Sequence, residues 1–247
     1  MIGRRGIVGG LLGALVAGCS KVAQSGPGGS LLAAVEDWNR KLHRTLAKRT
    51  ALAREFAPAE ISPSFRGNGT LDPGTPAYQA HAAAGFASWR LAVDGLVARP
   101  LALSLEQLKA LPQRTQITRH DCVEGWSAIG QWTGVPLAHL LRLAGLRDEA
   151  RYIVFHCADS LSGSPYYESI DLIDALHPQT ILAHALNGAP LPVRNGAPLR
   201  MRIERQLGYK QAKFVERIEA VASLAGIAGG KGGYWEDRSG YQWYAGI

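Results

Sequence analysis

Cysteine is scarce here: three residues in 247. No Cys-x-x-Cys-His occurs, so the chain carries no attached c-type haem, and electrons must reach or leave any redox centre through a separate carrier. Long apolar runs are also lacking. The stretch from Ile7 to Gly18 is twelve residues, short of the roughly 20 that span a bilayer. Basic residues exceed acidic ones by 27 to 20, but no basic stripe is interleaved with stacking aromatics, so nucleic acid is not the expected partner. Internal repeats are missing, and strands and short helices follow one another without a regular βαβ alternation. That argues against a doubly wound sheet and for an α+β fold.

What is present supports a sizeable core. Apolar residues make up 47% and charged ones 19%, which suits one large domain or one domain with appendages. With 29 glycines and 13 prolines, turns should be many and long helices few.

The chain divides into three parts. Residues 1–19 read as an export signal: Arg4 and Arg5, a short apolar region, then Val16-Ala17-Gly18-Cys19. The last four resemble the lipobox of bacterial lipoproteins, where the cysteine takes lipid and becomes the mature N-terminus. The paired arginines also allow twin-arginine export. Together these place the protein in the periplasm or otherwise outside the cytoplasm, anchored to a membrane surface through Cys19. Residues 20–57 hold a Gly/Ser/Pro tether and then an amphipathic basic helix over 31–56. Its apolar stripe is Leu31, Val35, Trp38, Leu42 and Leu46, and Arg40, Lys41, Arg44, Lys48 and Arg49 occupy the other faces. Residues 58–247 form the main domain.

Within that domain, 58–85 reads as largely loop and 89–97 as a strand entering a turn at Asp94-Gly95. Residues 104–111 form a short helix with Ser104 and Gln107 at capping-box spacing. Strands are expected at 116–120, 152–157, 181–186, 199–203 and 213–222, and helices at 136–143 and 170–176.

The chemistry centres on His120-Asp121-Cys122-Val123-Glu124-Gly125-Trp126-Ser127. A cysteine thiolate is a soft metal ligand or a nucleophile, but a lone cysteine is more often a small core residue. If Cys19 carries lipid, Cys122 and Cys157 remain, and they could form a disulfide in an oxidising compartment. Alternatively His120, Cys122, His156 and Cys157 would make a Cys₂His₂ zinc set if their strands are neighbours.

The Cys122 segment, followed by Ile129, Trp132-Thr133-Gly134-Val135-Pro136-Leu137 and Leu140-Leu141, resembles the pterin-domain signature of the sulfite oxidase family. Within it, the bacterial branch containing periplasmic methionine sulfoxide reductases is nearest. A second block resembles the family's cofactor cradle: Asn187-Gly188, Leu191-Pro192-Val193, Asn195-Gly196-Ala197-Pro198-Leu199-Arg200, Leu207 to Lys213, and Arg217-Ile218-Glu219. Gly233-Tyr234-Trp235-Glu236-Asp237-Arg238 with Gly240-Tyr241 is similar to its closing motif.

The resemblance covers roughly residues 60–247. It implies a sulfite-oxidase-type molybdopterin-binding fold of mixed sheets with short helices. Animal and plant members of that family continue into an immunoglobulin-like C-terminal dimerisation domain for which this chain has no room, which favours a monomer. The implied cofactor is Mo-molybdopterin with one pterin dithiolene, its molybdenum ligated by Cys122. Catalytic roles fall on Cys122, Arg66 and Glu124. Cofactor contacts fall on Asn68, Cys122, Cys157, Asn195, Arg200, Gln211, Ala212 and Lys213, with Lys210 a weaker candidate. A terminal phosphate needs cations and exposed backbone N–H groups, which Arg200, Lys213 and the Gly-containing turns supply. The implied reaction is oxygen-atom transfer on a small-molecule substrate, by sulfoxide-type reduction or sulfite-type oxidation. A separate redox partner, a cytochrome or membrane electron carrier, would exchange the electrons. The alternative function is a zinc-binding or non-catalytic exported lipoprotein that keeps the fold.

Overall fold

Two five-stranded sheets share one long core, and the candidate residues gather where hairpins from both sheets end. In the computed structural model, residues 50–247 are described without a break, and 34, 35, 38, 41, 42 and 45 ahead of them are helical. The signal, lipobox, tether and most of the basic helix lie outside the described residues. Among the described residues, no helix is long and apolar enough to cross a membrane. The helix expected over 31–56 does not extend through its last turn. Residues 51–57 have no regular structure; instead Ala53 pairs through its backbone with the side chain of Gln179, and Phe56 N donates to Ile117 O.

The first sheet has the order β2-β1-β10-β5-β6. Its strands are β1 (Arg90–Gly95), β2 (Leu101–Ser104), β5 (Tyr152–Leu161), β6 (Ser164–Asp171) and β10 (Val215–Val221). Period-two burial sets Leu91, Val93, Ile153, Phe155, Ile218 and Ala220 on its inner face. The second sheet runs β3-β4-β7-β8, with β9 also on β7. These strands are β3 (Arg114–Cys122), β4 (Trp126–Pro136), β7 (Ile181–Leu186), β8 (Ala189–Pro190) and β9 (Arg200–Arg202). It is apolar on both faces. Leu182, Val135 and Met201 point into the shared core, while Ile181, Ala183 and Trp132 build a second cluster capped by Phe65.

Short helices close the edges: α1 (Pro76–Ala83), α2 (Leu105–Ala110), α3 (Leu137–Ala144), α4 (Leu172–Ala175) and α5 (Tyr234–Ser239). The expected capping box starts α2, where Gln107 N donates to Ser104 Oγ at 3.1 Å and Ser104 N donates to Gln107 Oε1 at 2.8 Å. In α3, Leu137, Leu140 and Leu141 are fully buried, worth about 1.5–3 kcal/mol each as an upper bound.

These expectations shift in detail. The 58–85 stretch is not all loop, because Thr75 caps α1, Pro76 sits at its first position, and Tyr78 is buried with its hydroxyl donating to Ala197 O at 2.7 Å. The strand expected to stop at 157 runs on to Leu161 and pairs with β6, where no strand was expected; the helix of 170–176 shrinks to 172–175. Cys122 lies at the last residue of β3 rather than in a loop, paired across the hairpin with Trp126.

Candidate active site

At the end of the β3–β4 hairpin the chain turns through Val123, Glu124 and Gly125, with Gly125 N donating to Cys122 O at 3.0 Å. Cys122 faces a cleft of about 700 Å³, counting its open mouth. Its other walls are the 68–70 turn, Asp159 and Leu161 at the end of β5, and Tyr166 of β6. The 208–213 segment with Trp235 and Tyr241 completes them. Close packing brings the 208–213 segment in: a Cβ on Gly208 would collide with the ring of His120.

Of the residues singled out from sequence, Asn68, Cys122, Glu124, Gln211 and Lys213 line the cleft. Arg200 is not among the lining residues, but its charge acts on both Cys122 and Lys213. Gly196, in the left-handed region at φ 109°, leaves room where a Cβ would strike the side-chain stems of both Lys213 and Arg200. Asn195 ties this turn to the 66–68 segment by donating through Nδ2 to Arg66 O at 3.4 Å. Arg66 is exposed, with its guanidinium 5.9 Å from the Trp126 ring. Ala212 is buried, and its carbonyl accepts from Met201 N.

Cys157 does not line the cleft; it packs against the core, and Asp159, two residues on, takes the wall position. Sequence reasoning missed Asp159, Tyr166 and the cleft positions of Trp235 and Tyr241. Their signal existed only in the strand extension past 157 and in the closing motif.

The electrostatics are those of an anion site beside a thiol. Arg200 is wholly buried; Nη1 donates to Asn195 O at 3.0 Å, while Nε and Nη2 have no hydrogen-bond partner among the described residues. Burial, reinforced by Arg202, brings its pKa down to about 9. Lys213 donates to Thr70 O and to Arg194 O, and burial together with Arg200 brings its pKa to about 7. Burial pushes the Cys122 thiol above its usual value, while backbone hydrogen bonds and the Arg200 charge oppose the rise. His120 is fully buried and held neutral by desolvation and by Arg202, whose Nη1 lies 3.0 Å from His120 Nδ1.

Asn68 Oδ1, Thr70 Oγ1, Asp159 Oδ1, Gln211 Oε1 and the two Arg200 nitrogens are buried yet without partners among the described residues. Buried polar groups are normally satisfied, so a cluster of orphans around one cleft is a binding surface for a polar molecule. Two cations suit its phosphate and a thiol suits a soft metal. These residues fit a molybdenum–pterin cofactor.

The zinc set does not form. His120 and Cys122 are on β3 of the second sheet, His156 and Cys157 on β5 of the first. Among the described residues no group of three or more His, Cys, Asp or Glu could hold a metal. Cys122 and Cys157 are free thiols, so the disulfide does not form either.

Fold and site together define a molybdopterin-binding oxidoreductase domain of sulfite-oxidase type. A family model described as the oxidoreductase molybdopterin binding domain matches residues 78–225, and the chain belongs to that family. Among its relatives is YedZ1 of Azospira oryzae, assigned by its name to protein-methionine-sulfoxide reductases. It is 48% identical over 160 residues, covering 65% of this chain and 56% of that protein. The protein-methionine-sulfoxide reductase catalytic subunit MsrP of Gluconobacter oxydans is 36% identical over 165 residues, covering 62% and 52%. The chain thus spans about half the length of the curated relatives it matches. In fold alone it is similar to the sulfane dehydrogenase SoxCD of Paracoccus pantotrophus. There the TM-score is 0.51 at 24% identity, covering 56% of this chain and 39% of that one.

Proposed function

We propose that this chain transfers an oxygen atom in the reductive direction, converting a sulfoxide of the methionine type to its thioether. The observation that carries the reading is the juxtaposition of the Cys122 thiol with the orphaned Arg200 guanidinium and Lys213 around one cleft. The cofactor, when bound, supplies a metal centre that exchanges two electrons and one oxygen atom with the substrate. Cys122 is its protein ligand. Arg200 and Lys213 hold the phosphate, with Asn195 fixing the turn that carries Arg200. Asn68, Gln211 and the backbone around Ala212 meet the pterin.

Glu124 and Arg66, at the exposed side of the Cys122 turn, meet the substrate. Trp126 Nε1 donates to Glu124 Oε2 at 3.0 Å and so holds that carboxylate in place. The stacked rings of Trp235 and Tyr241, 5.7 Å apart, give the mouth an apolar wall suited to a thioether, since sulfur packs favourably at aromatic edges.

Electrons come from a separate carrier, a cytochrome or a membrane-bound donor. The working compartment is the periplasm, with Cys19 as a lipid anchor. Sulfite-type oxidation would use the same core; the relatives' names favour reduction.

The test is molybdenum and pterin content of the full chain from a cofactor-competent host, beside reduction of methionine sulfoxide with an artificial electron donor. Wild type should carry about one molybdenum per chain, as one thiolate and one phosphate cradle demand. Cys122→Ala should lose turnover. Retained turnover without the thiol would overturn the assignment, as would stoichiometric zinc without molybdenum.

A further inference from the structure

Lys210 does not serve the phosphate. It is fully buried between two carboxylates, with Nζ 2.6 Å from Glu168 Oε2 and 2.6 Å from Glu236 Oε1. All three side chains are at most 1% exposed. Two carboxylates against one ammonium leave an uncompensated negative charge if both are ionised, and such a charge is costly away from water.

The geometry shows how the charge is relieved. Glu168 Oε2 lies at ion-pair distance from Lys210 but outside hydrogen-bonding geometry, and Glu236 Oε2 has no hydrogen-bond partner among the described residues. Both oxygens crowd the Cα of Gly233, where a Cβ would strike each of them. Carboxylates this close do not both ionise, and one proton between them is the stable state. Burial raises the pKa of Glu168 well above the usual carboxylate range; Lys210 opposes the rise and Glu236 reinforces it. Burial also works against the Lys210 ammonium, but the two carboxylates outweigh it and keep it charged.

Tyr166 connects the cluster to the cleft by hydrogen bonds. Tyr166 Oη is 3.5 Å from Glu168 Oε1 and donates to Tyr209 O at 2.9 Å, and both tyrosines line the cleft. The other groups whose charge acts here are Tyr167 on β6, which donates to Asp237 Oδ2 of α5, and Cys157 on β5. Tyr209 lies beside Lys210, and Asp159 reaches Tyr166.

We infer that Glu168, Glu236 and Lys210 form a buried proton store that feeds the cleft through the Tyr166 hydroxyl. The inference rests on the reductive reading above. Turning a sulfoxide into a thioether and water takes two electrons, from the separate carrier, and two protons. The store supplies one of these and solvent at the open mouth of the cleft supplies the other. With the proton on Glu168 Oε1, that O–H bond breaks as the proton moves to the Tyr166 oxygen, and the proton Tyr166 already held leaves its hydrogen bond to Tyr209 O for the oxygen leaving the substrate. Both carboxylates then stand against Lys210 until solvent returns a proton.

The test has two arms. Infrared spectra of the purified chain near pH 8, in H₂O and D₂O, should show an exchangeable carbonyl band of a protonated carboxylic acid. Glu236→Gln and Glu168→Gln should each remove it, and Tyr166→Phe should keep it. This arm needs neither cofactor nor substrate, so it stands if the functional reading fails. In the second arm, Tyr166→Phe should slow sulfoxide reduction about 10²-fold near pH 8, the usual scale of a lost proton donor. The deficit should shrink as pH falls and solvent acid substitutes. No band in wild type, or a band that survives both glutamine variants, would overturn the store. A pH–rate profile unchanged in Tyr166→Phe would overturn the hand-off.

Discussion

Arg202 Nη2 and Glu204 Oε2 meet at 2.6 Å, with neither side chain exposed. Glu204 Oε1 also accepts from Arg202 Nε at 3.0 Å and from Gln116 Nε2 at 2.7 Å. The guanidinium in turn lies 4.4 Å from the Trp132 ring centroid and beside His120. This pair therefore supports β3 two residues before Cys122.

Removing one member of such a pair leaves a buried charge uncompensated, which costs about 3–5 kcal/mol, whereas replacing both with apolar residues is often close to neutral. Glu204→Ala should lower the urea unfolding midpoint accordingly. Arg202→Met with Glu204→Leu should recover most of the loss. A single variant that costs under about 1 kcal/mol would show the pair to be dispensable.

A second prediction concerns the β4–β7 seam. At the register shift between Thr133 and Gly134, a Cβ on Gly134 would run into Leu182 O and the Cα of Ala183. The obstruction is backbone, so no rotamer relieves it. Gly134→Ala should cost about 1–3 kcal/mol, or roughly 2–4 °C of melting temperature per kcal/mol in a unit this size. An unchanged melting curve would mean the strands separate there at no cost.

Local signals in the sequence reached the structure well. Ser104 and Gln107 form their capping box, Asp94-Gly95 ends β1, and the apolar run 136–143 becomes α3, beginning one residue later. The α+β class follows from the irregular order of strands and short helices, and the molybdopterin-binding family from short motifs. What escaped depended on distant partners. Helix α1, sequence Pro76-Ala-Tyr-Gln-Ala-His-Ala-Ala83, has almost no apolar face, and it is held by its cap and one buried tyrosine. Lys210 reads as a solvated lysine on any local window, because Glu236, its partner, stands 26 positions further on. Asp159 and Tyr166 face the cleft only because β5 and β6 run further than their apolar residues indicate.

Arg200 illustrates a cost carried for binding. Its Nε and Nη2 are buried and unpartnered among the described residues, so in the cofactor-free chain its charge is a burden. Arg200→Met keeps much of the volume and the contact with Trp132 while removing the charge. The cofactor-free variant should melt at the same temperature as wild type or higher, and its affinity for a phosphate-bearing ligand should fall. A variant that melts several degrees lower would show that the bond to Asn195 O and the packing on Trp132 outweigh the buried charge.

Lys213 links the same cradle to pH. An exposed lysine titrates near 10.5, and burial with Arg200 nearby brings this one to about 7. Between those values the unfolded chain binds a proton here that the folded chain does not. The contribution of Lys213 to stability therefore rises with pH across that window and is flat below it. A bound phosphate reverses the preference, because its negative charge favours the ammonium. At about pH 8, where Lys213 is mostly neutral and Arg200 still mostly charged, binding of inorganic phosphate to the cofactor-free chain should take up close to one proton. Calorimetry in buffers of different ionisation enthalpy measures this uptake, and Lys213→Met should abolish it. Wild type binding phosphate with no uptake would mean that Lys213 is already charged in the empty cradle, so that Arg200 alone creates the affinity for the anion.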